Sequence, residues 1–285
     1  MTTRHGRSNR PSARERARRS AGRSADGRSV AWIDGIDLPT LAGELVDLAI
    51  GQLRVWTPRV VDALDAERIA SDVCGQWFTG PDGPGAELEA VVGELLIEGL
   101  SAAGDAPAVA ALSALAVAGS EPIASAAGPA AERLVAAGVP RPSWWAQLAS
   151  TRPTRAALLT APGDDRVQTV IVEFSRDVGP RHCLSAIVVH ERGGAATSLH
   201  LTHELDGLRE EIASIGGESP IEVIPLPLER AHAILDAAIE RTEQVGDPLL
   251  TSSYGETRGV ARQRLALLAD HLGRGQRSAS RSIAS

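Results

Sequence analysis

Four histidines, His182, His190, His200 and His203, fall within 22 residues of one another, with Glu191, Glu204 and Asp206 beside them. Imidazoles and carboxylates gathered this densely could hold a divalent metal or share a general acid–base step. The run His200-Leu201-Thr202-His203-Glu204 resembles a metalloprotease motif, but neither the His-Glu-x-x-His nor the His-x-x-Glu-His order is present. On a strand, His200 and His203 would point to opposite faces and could not share one ion. A two-residue turn at Gly193-Gly194 would instead set Leu184 opposite His203 and bring His182 and His203 within diagonal reach on one face. Those two are the metal candidates, and two ligands need help from elsewhere to make a site. Cys183 follows His182 directly, yet adjacent strand residues face apart, so this histidine cannot serve as its base and a half-buried structural thiol is expected.

Two further groups of residues suggest binding rather than catalysis. Arg4, Arg7, Arg10, Arg14, Arg16, Arg18, Arg19, Arg23 and Arg28 crowd residues 1–29 against only Glu15 and Asp26, which gives this arm a charge of +7. Each arginine could contact a phosphate, and all nine together would give a salt dependence with a slope of up to about −8. The arm has no aromatic residue to stack on bases, so such binding would carry no sequence preference. Trp144 and Trp145 could form an exposed docking patch for a protein partner, or staple two segments together. Gly-x-Ser-x-Gly, a Walker-type phosphate loop and Gly-x-Gly-x-x-Gly are all absent, which removes common hydrolase, NTPase and dinucleotide signatures. No cofactor is expected.

The elements that must position these residues follow from composition and periodicity. The 285 residues are 43% hydrophobic but only 3% aromatic, so the core must come from Ala, Leu, Val and Ile. All 29 basic residues are arginine, a bias that fits a GC-rich genome. The net charge of −7 conceals a segregation: the arm carries +7, Arg274, Arg277 and Arg281 add +3 near the end, and the body between carries −17. An acidic body repels phosphate, so nucleic-acid contact is expected only at the ends. Cys74 and Cys183, far apart, point to a reducing cytoplasmic compartment without disulfides. No apolar run is long enough to span a membrane, and none before Val30 suits a secretory signal.

Residues 1–29 have too little apolar surface to offset the entropy of ordering, and disorder is expected there and in the basic tail at 273–285. A helical domain over 30–140 follows. Its first helix, from Leu38 after a cap at Asp37, has Leu41, Leu45, Leu48 and Gln52 as its stripe; a second starts at Pro58, with Val61, Leu64, Ile69, Val73 and Trp77. A Gly- and Pro-rich turn at 79–85 leads to an amphipathic helix built on Leu88, Val91, Val92, Leu95 and Leu96, and Ala-rich helices follow at 107–117 and 129–137. Beyond Pro140-Arg141-Pro142-Ser143 the pattern becomes strand-like, defining a second, α+β domain over 150–272. Strands at 156–160, 167–174, 184–190 and 197–203 form an antiparallel meander, and a short strand at 221–224 sits among helices at 206–215, 228–243 and 256–271. The fold class is therefore α+β, an irregular helical bundle followed by an antiparallel sheet covered by C-terminal helices.

Pro142 to Trp145, the run Val189-His190-Glu191-Arg192-Gly193-Gly194 and a terminal Arg-x-x-x-x-x-Arg-Leu helix together resemble an uncharacterised family of GC-rich bacteria, over roughly residues 60–268. The resemblance implies a helical region before an α+β domain and no particular activity. With no catalytic motif in place, the sequence points first to a non-enzymatic protein-binding or regulatory protein with an unidentified protein partner. The alternatives are a nucleic-acid-associated protein tethered by its arm, and a metal-dependent or histidine-based enzyme in the α+β domain.

Overall fold

A computed structural model of the chain describes residues 38–77, 85–161, 163, 166–202, 204–208, 210, 221–245 and 250–283. The arm, the cap expected at Asp37, most of the turn at 79–85 and His203 lie outside these residues. The first half is helical: α1 (Leu38–Trp56), a 3-10 turn (Thr57–Arg59), α2 (Ala63–Gly75), α3 (Gly85–Ala103), α4 (Ala106–Ala118), α5 (Glu121–Ala136) and the single turn α6 (Trp145–Leu148). Five antiparallel strands follow, β1 (Arg152–Thr160), β2 (Val167–Ser175), β3 (His182–Val189), β4 (Ala195–Thr202) and β5 (Glu222–Leu226), in the order β4-β3-β2-β1-β5. Two long helices, α7 (Leu228–Val245) and α8 (Ser252–Ile283), close the chain.

Local chemistry sets the helix boundaries. Pro58 opens only the 3-10 turn, and α2 starts five residues later, where the Asp62 carboxylate accepts from the Asp65 N–H at 2.9 Å. Asp105 caps α4 in the same way, through the Ala108 N–H at 3.0 Å, and a salt bridge to Arg54 at the end of α1 joins the two helices. α5 begins at Glu121, eight residues before the expected start, with Pro122 in its first turn and Pro129 carried inside it. α8 runs on to Ile283 through the segment expected to be a disordered tail, which holds no proline to stop a helix already begun.

The helical faces are rotated from those the large residues suggest. α1 buries Ala42, Val46, Ala49 and Leu53 and leaves Leu48 exposed, and α2 buries Ala63, Ala66, Ala70 and Val73 while Val61 stands outside the helix in solvent. Small residues form the contact faces because they let backbones approach, and the larger residues flank the seam. α1 to α5 thus share one core, into which α8 inserts Val260.

The sheet is packed on one face by α7 and α8, where Val172, Phe174, Leu184 and Leu199 meet Leu235, Ile239, Tyr254 and Leu265. On the opposite face Ala157, Ile171 and Cys183 are covered by Leu205. The hairpin between β3 and β4 differs from the two-residue turn expected at Gly193-Gly194. Val189 pairs with Ala195, so five residues make the loop, with His190–Arg192 as a 3-10 turn and both glycines at positive φ. Leu184 consequently pairs with Leu201, not His203.

α8 crosses α2 and the end of α4 at glycines. A Cβ on Gly75 would run into the Gly255 carbonyl, and one on Gly259 into the carbonyl of Ala118. Gly75 and Gly259 are therefore places where only a bare backbone fits. Gly259→Ala should destabilise the fold by about 1–3 kcal/mol in denaturant titration through forced overpacking. Gly51→Ala in α1, where nothing lies within 4 Å, should instead be neutral or stabilise by up to about 1 kcal/mol. Equal effects of the two substitutions would contradict the close crossing.

Candidate functional site

The helical and sheet parts of the chain meet at a buried ionic cluster. Glu67 of α2 is 0% exposed and accepts from Arg264 of α8 through Nη1 at 3.2 Å and Nη2 at 2.6 Å. The same carboxylate accepts from Arg176 Nη2, just after β2, at 2.5 Å, while Arg176 Nε donates to Thr151 Oγ1 at 2.8 Å. Arg264 Nε donates to His182 Nε2 at 3.0 Å, so the ring is neutral with its proton on Nδ1. His182 stacks on Phe174 with ring centroids 5.8 Å apart, and the Arg264 guanidinium lies 5.4 Å from the same Phe174 ring. Two guanidinium groups thus share one carboxylate.

This placement commits the Nε2 side of the His182 ring to the cluster, while His203, the other metal candidate, lies outside the described residues. Burial, then the positive charges of Arg264 and Arg176, push the pKa of His182 down from 6.5 to about 2, and its Nε2 lone pair is occupied by a guanidinium N–H. It can neither shuttle a proton near neutrality nor offer that nitrogen to an ion. His190 is exposed in the 3-10 turn and His200 is exposed on β4, and no group of three or more metal-ligating side chains is gathered among the described residues. His182 and Cys183 do face opposite sides of the sheet, as adjacent strand residues must.

A second ionic knot holds the other face of the sheet. Glu173 of β2 is bonded by Arg155 through Nε at 3.0 Å and Nη2 at 2.9 Å, by Thr154 Oγ1 at 2.9 Å and by the Leu205 N–H at 2.9 Å. Burial would raise its pKa, but these donors outweigh it and hold the carboxyl below its ordinary range. Arg155 reaches on to Asp206, so the segment after β4 is clamped over Cys183. Burial and the Glu173 charge push the Cys183 thiol up to about 12, and burial with Glu89 does the same for Cys74. Both cysteines are free and buried, and as protonated thiols they are poor nucleophiles.

The accessible feature at this junction is a cleft of about 810 Å³ between α1, the 3-10 turn, α2, β4 and α8. Val60, Ile69 and Leu201 contribute apolar surface, Asp65, Arg68, His200 and Glu256 contribute polar groups, and Arg59 lies 5.4 Å from the Trp56 ring. Trp56 is 47% exposed, and Val55 and Val61 on either side of it in the chain are exposed as well. The tryptophans expected to form a docking patch lie elsewhere: Trp144 is buried in the helical core, and Trp145 sits under Arg141 at 4.1 Å, so they make no common exposed surface. The nine arginines of the arm lie outside the described residues.

Sequence reasoning missed Glu67, Arg176, Arg264 and Trp56. Glu67 falls three or four residues from Ala63, Ala70 and Ser71, all buried, and Arg264 falls among Val260, Ala261, Leu265 and Leu268; a charge inside an apolar stripe was the available signal.

Glu67→Gln should cost about 3–5 kcal/mol in equilibrium unfolding, because it leaves two buried guanidinium groups short of their counter-charge. The depressed pKa of His182 gives a second expectation. Its folded value lies below its unfolded value near 6.5, so the unfolded chain takes up the proton first and stability falls as pH drops from 6.5 towards 2. Between pH 6.5 and 4.5, above the range of the carboxylates, His182→Gln should flatten this dependence. An unchanged slope in denaturant titrations across that window would contradict the burial of a neutral His182. No protein family, curated protein or solved structure matches the chain.

Proposed function

We propose that this chain is a non-enzymatic binding protein that receives a segment of a partner protein in the cleft between α1, α2, β4 and α8. The observation that carries this reading is the exposed Trp56 among the residues that line the cleft, with Val55 and Val61, exposed as well, close to it in the chain. Tryptophan and arginine dominate interface energetics, and here Trp56 and Arg59 stand together beside a lining that mixes Val60, Ile69 and Leu201 with Asp65, Arg68 and Glu256. A volume of about 810 Å³ would also suit a small molecule. A protein segment, unlike a small molecule confined to the cleft, could also cover the exposed Val55 and Val61 nearby in the chain.

The protonated state of both thiols and the neutral, occupied imidazole of His182 lend no support to an enzymatic reading centred on those residues. The same rigid packing that makes them inert fixes α2 and α8, which form two walls of the cleft.

The test compares the full chain with its Trp56→Ala variant, first for proteins retained from an extract and then by titration of the purified partner. Loss of a central tryptophan should weaken binding about 30-fold or more, equivalent to at least about 2 kcal/mol, with the circular dichroism spectrum unchanged. A partner that binds Trp56→Ala as tightly as the parent, or no partner at micromolar concentration, would overturn the reading.

A further inference from the structure

Part of the apolar row that the spacing of α1 sets up is turned to solvent. Leu41, Leu45, Leu48, Gln52 and Val55 recur at alternating four- and three-residue steps, the repeat of a coiled-coil seam. α1 nevertheless packs on the protein through Ala42, Val46, Ala49 and Leu53, and this leaves Leu48 53% and Val55 55% exposed, one heptad apart. Among the described residues, α1 is the helix that carries more than one large hydrophobic residue exposed in this way. Gly51 lies between the two on the exposed side, and nothing comes within 4 Å of the place its Cβ would take. With 3.6 residues per turn, Leu48, Gly51 and Val55 fall within about 60° of one another, on the far side of α1 from its core residues.

We propose that this face of α1 pairs with the same face of a second copy of the chain, the two helices running antiparallel across a two-fold axis at Gly51. The charges beside the face select both the occupant and the direction. Asp47 and Arg54, both exposed, share one flank of α1, and along its axis they stand about 6 Å before and about 4.5 Å after Gly51. An acid on one side of the glycine and a base on the other make the face self-complementary, as a two-fold interface requires. Antiparallel pairing at Gly51 brings Asp47 of each copy beside Arg54 of the other, twice by symmetry, while Leu48 of each packs on Val55 of the other. Arg54 keeps its salt bridge to Asp105, and its side chain is still 43% exposed. A parallel pair would set the charged flank against Leu45 and Gln52 of the other copy, with no opposite charge to meet. Leu48, Gly51 and Val55 do not line the cleft, so this interface stands or falls separately from the cleft's occupant.

Light scattering on the full chain at micromolar concentration should give twice the 29.8 kDa of one chain. Leu48→Glu combined with Val55→Glu should return the mass of a single chain with the circular dichroism spectrum unchanged, because both positions are exposed in the isolated fold. Asp47→Arg should weaken the dimer at least about tenfold, since like charges then meet twice across the axis. Direction is read by crosslinking, to which the buried Cys74 and Cys183 contribute nothing. Gly51→Cys should form a disulfide with its own copy under mild oxidation. Glu44→Cys should not, because antiparallel pairing holds that position roughly 20 Å from its copy, beyond the about 7 Å that a disulfide spans. A parent with the mass of one chain would overturn the proposal. So would a folded Leu48→Glu and Val55→Glu chain that stays dimeric, or an Asp47→Arg chain that pairs as tightly as the parent. Crosslinking of Glu44→Cys as readily as Gly51→Cys would overturn it too, by showing parallel pairing. Should the double variant unfold, Asp47→Arg and the two cysteine variants, at exposed positions, still decide the matter.

Discussion

One carboxylate, that of Glu67, holds the two halves of this structure together. It accepts from Arg264 and Arg176 in a site closed to solvent, and through them it reaches His182, Thr151 and Phe174. Removing charges from water is expensive, and an apolar replacement of equal volume is often no less stable. What such a cluster supplies is direction. Guanidinium and carboxylate groups bond only in a narrow set of orientations, so α2, the end of β2, the start of β3 and α8 can meet in one way. Burial, and then the excess of one guanidinium, keep His182 neutral: a third positive charge in this space has no partner.

The rest of the architecture follows from α8 being fixed there. Its first turns run across α2 and the end of α4 at glycines, and its middle presents Val260 to the helical core and Ala261, Leu265 and Leu268 to the sheet. The cleft lies beside that crossing, lined by residues of α2 and α8 together with Trp56 of α1 and His200 of β4. A rigid seam beside an open cleft keeps the binding surface preformed, and the entropy lost on binding correspondingly small.

The sequence conveyed the order of elements and the α+β class well, because strand period and helix period are local properties. The meander of β1 to β4 and the helix α7 lie close to where their apolar patterns place them. Contacts between distant residues were harder to see. The face of α1 was misplaced by one residue because leucines outweigh alanines in any hydrophobic pattern, while the packing favoured Ala42 and Ala49 for their size. The hairpin register was misread because Gly193 and Gly194 suit a two-residue turn as well as the five-residue loop they occupy. Histidines drew attention by chemical type, whereas the groups that organise the junction are a glutamate and two arginines separated by 109 and 197 residues, which no local pattern relates.

Native-state hydrogen exchange is the most direct measurement of the claim that Glu67 makes one cooperative unit of the helices and the sheet. The slowest amides of α2 and those of β2 and β3 should share a single opening free energy, equal to that of global unfolding, at every denaturant concentration. Exchange of α1 to α5 through an opening that leaves β2 and β3 protected would show that the two parts unfold separately and that the ionic cluster does not join them.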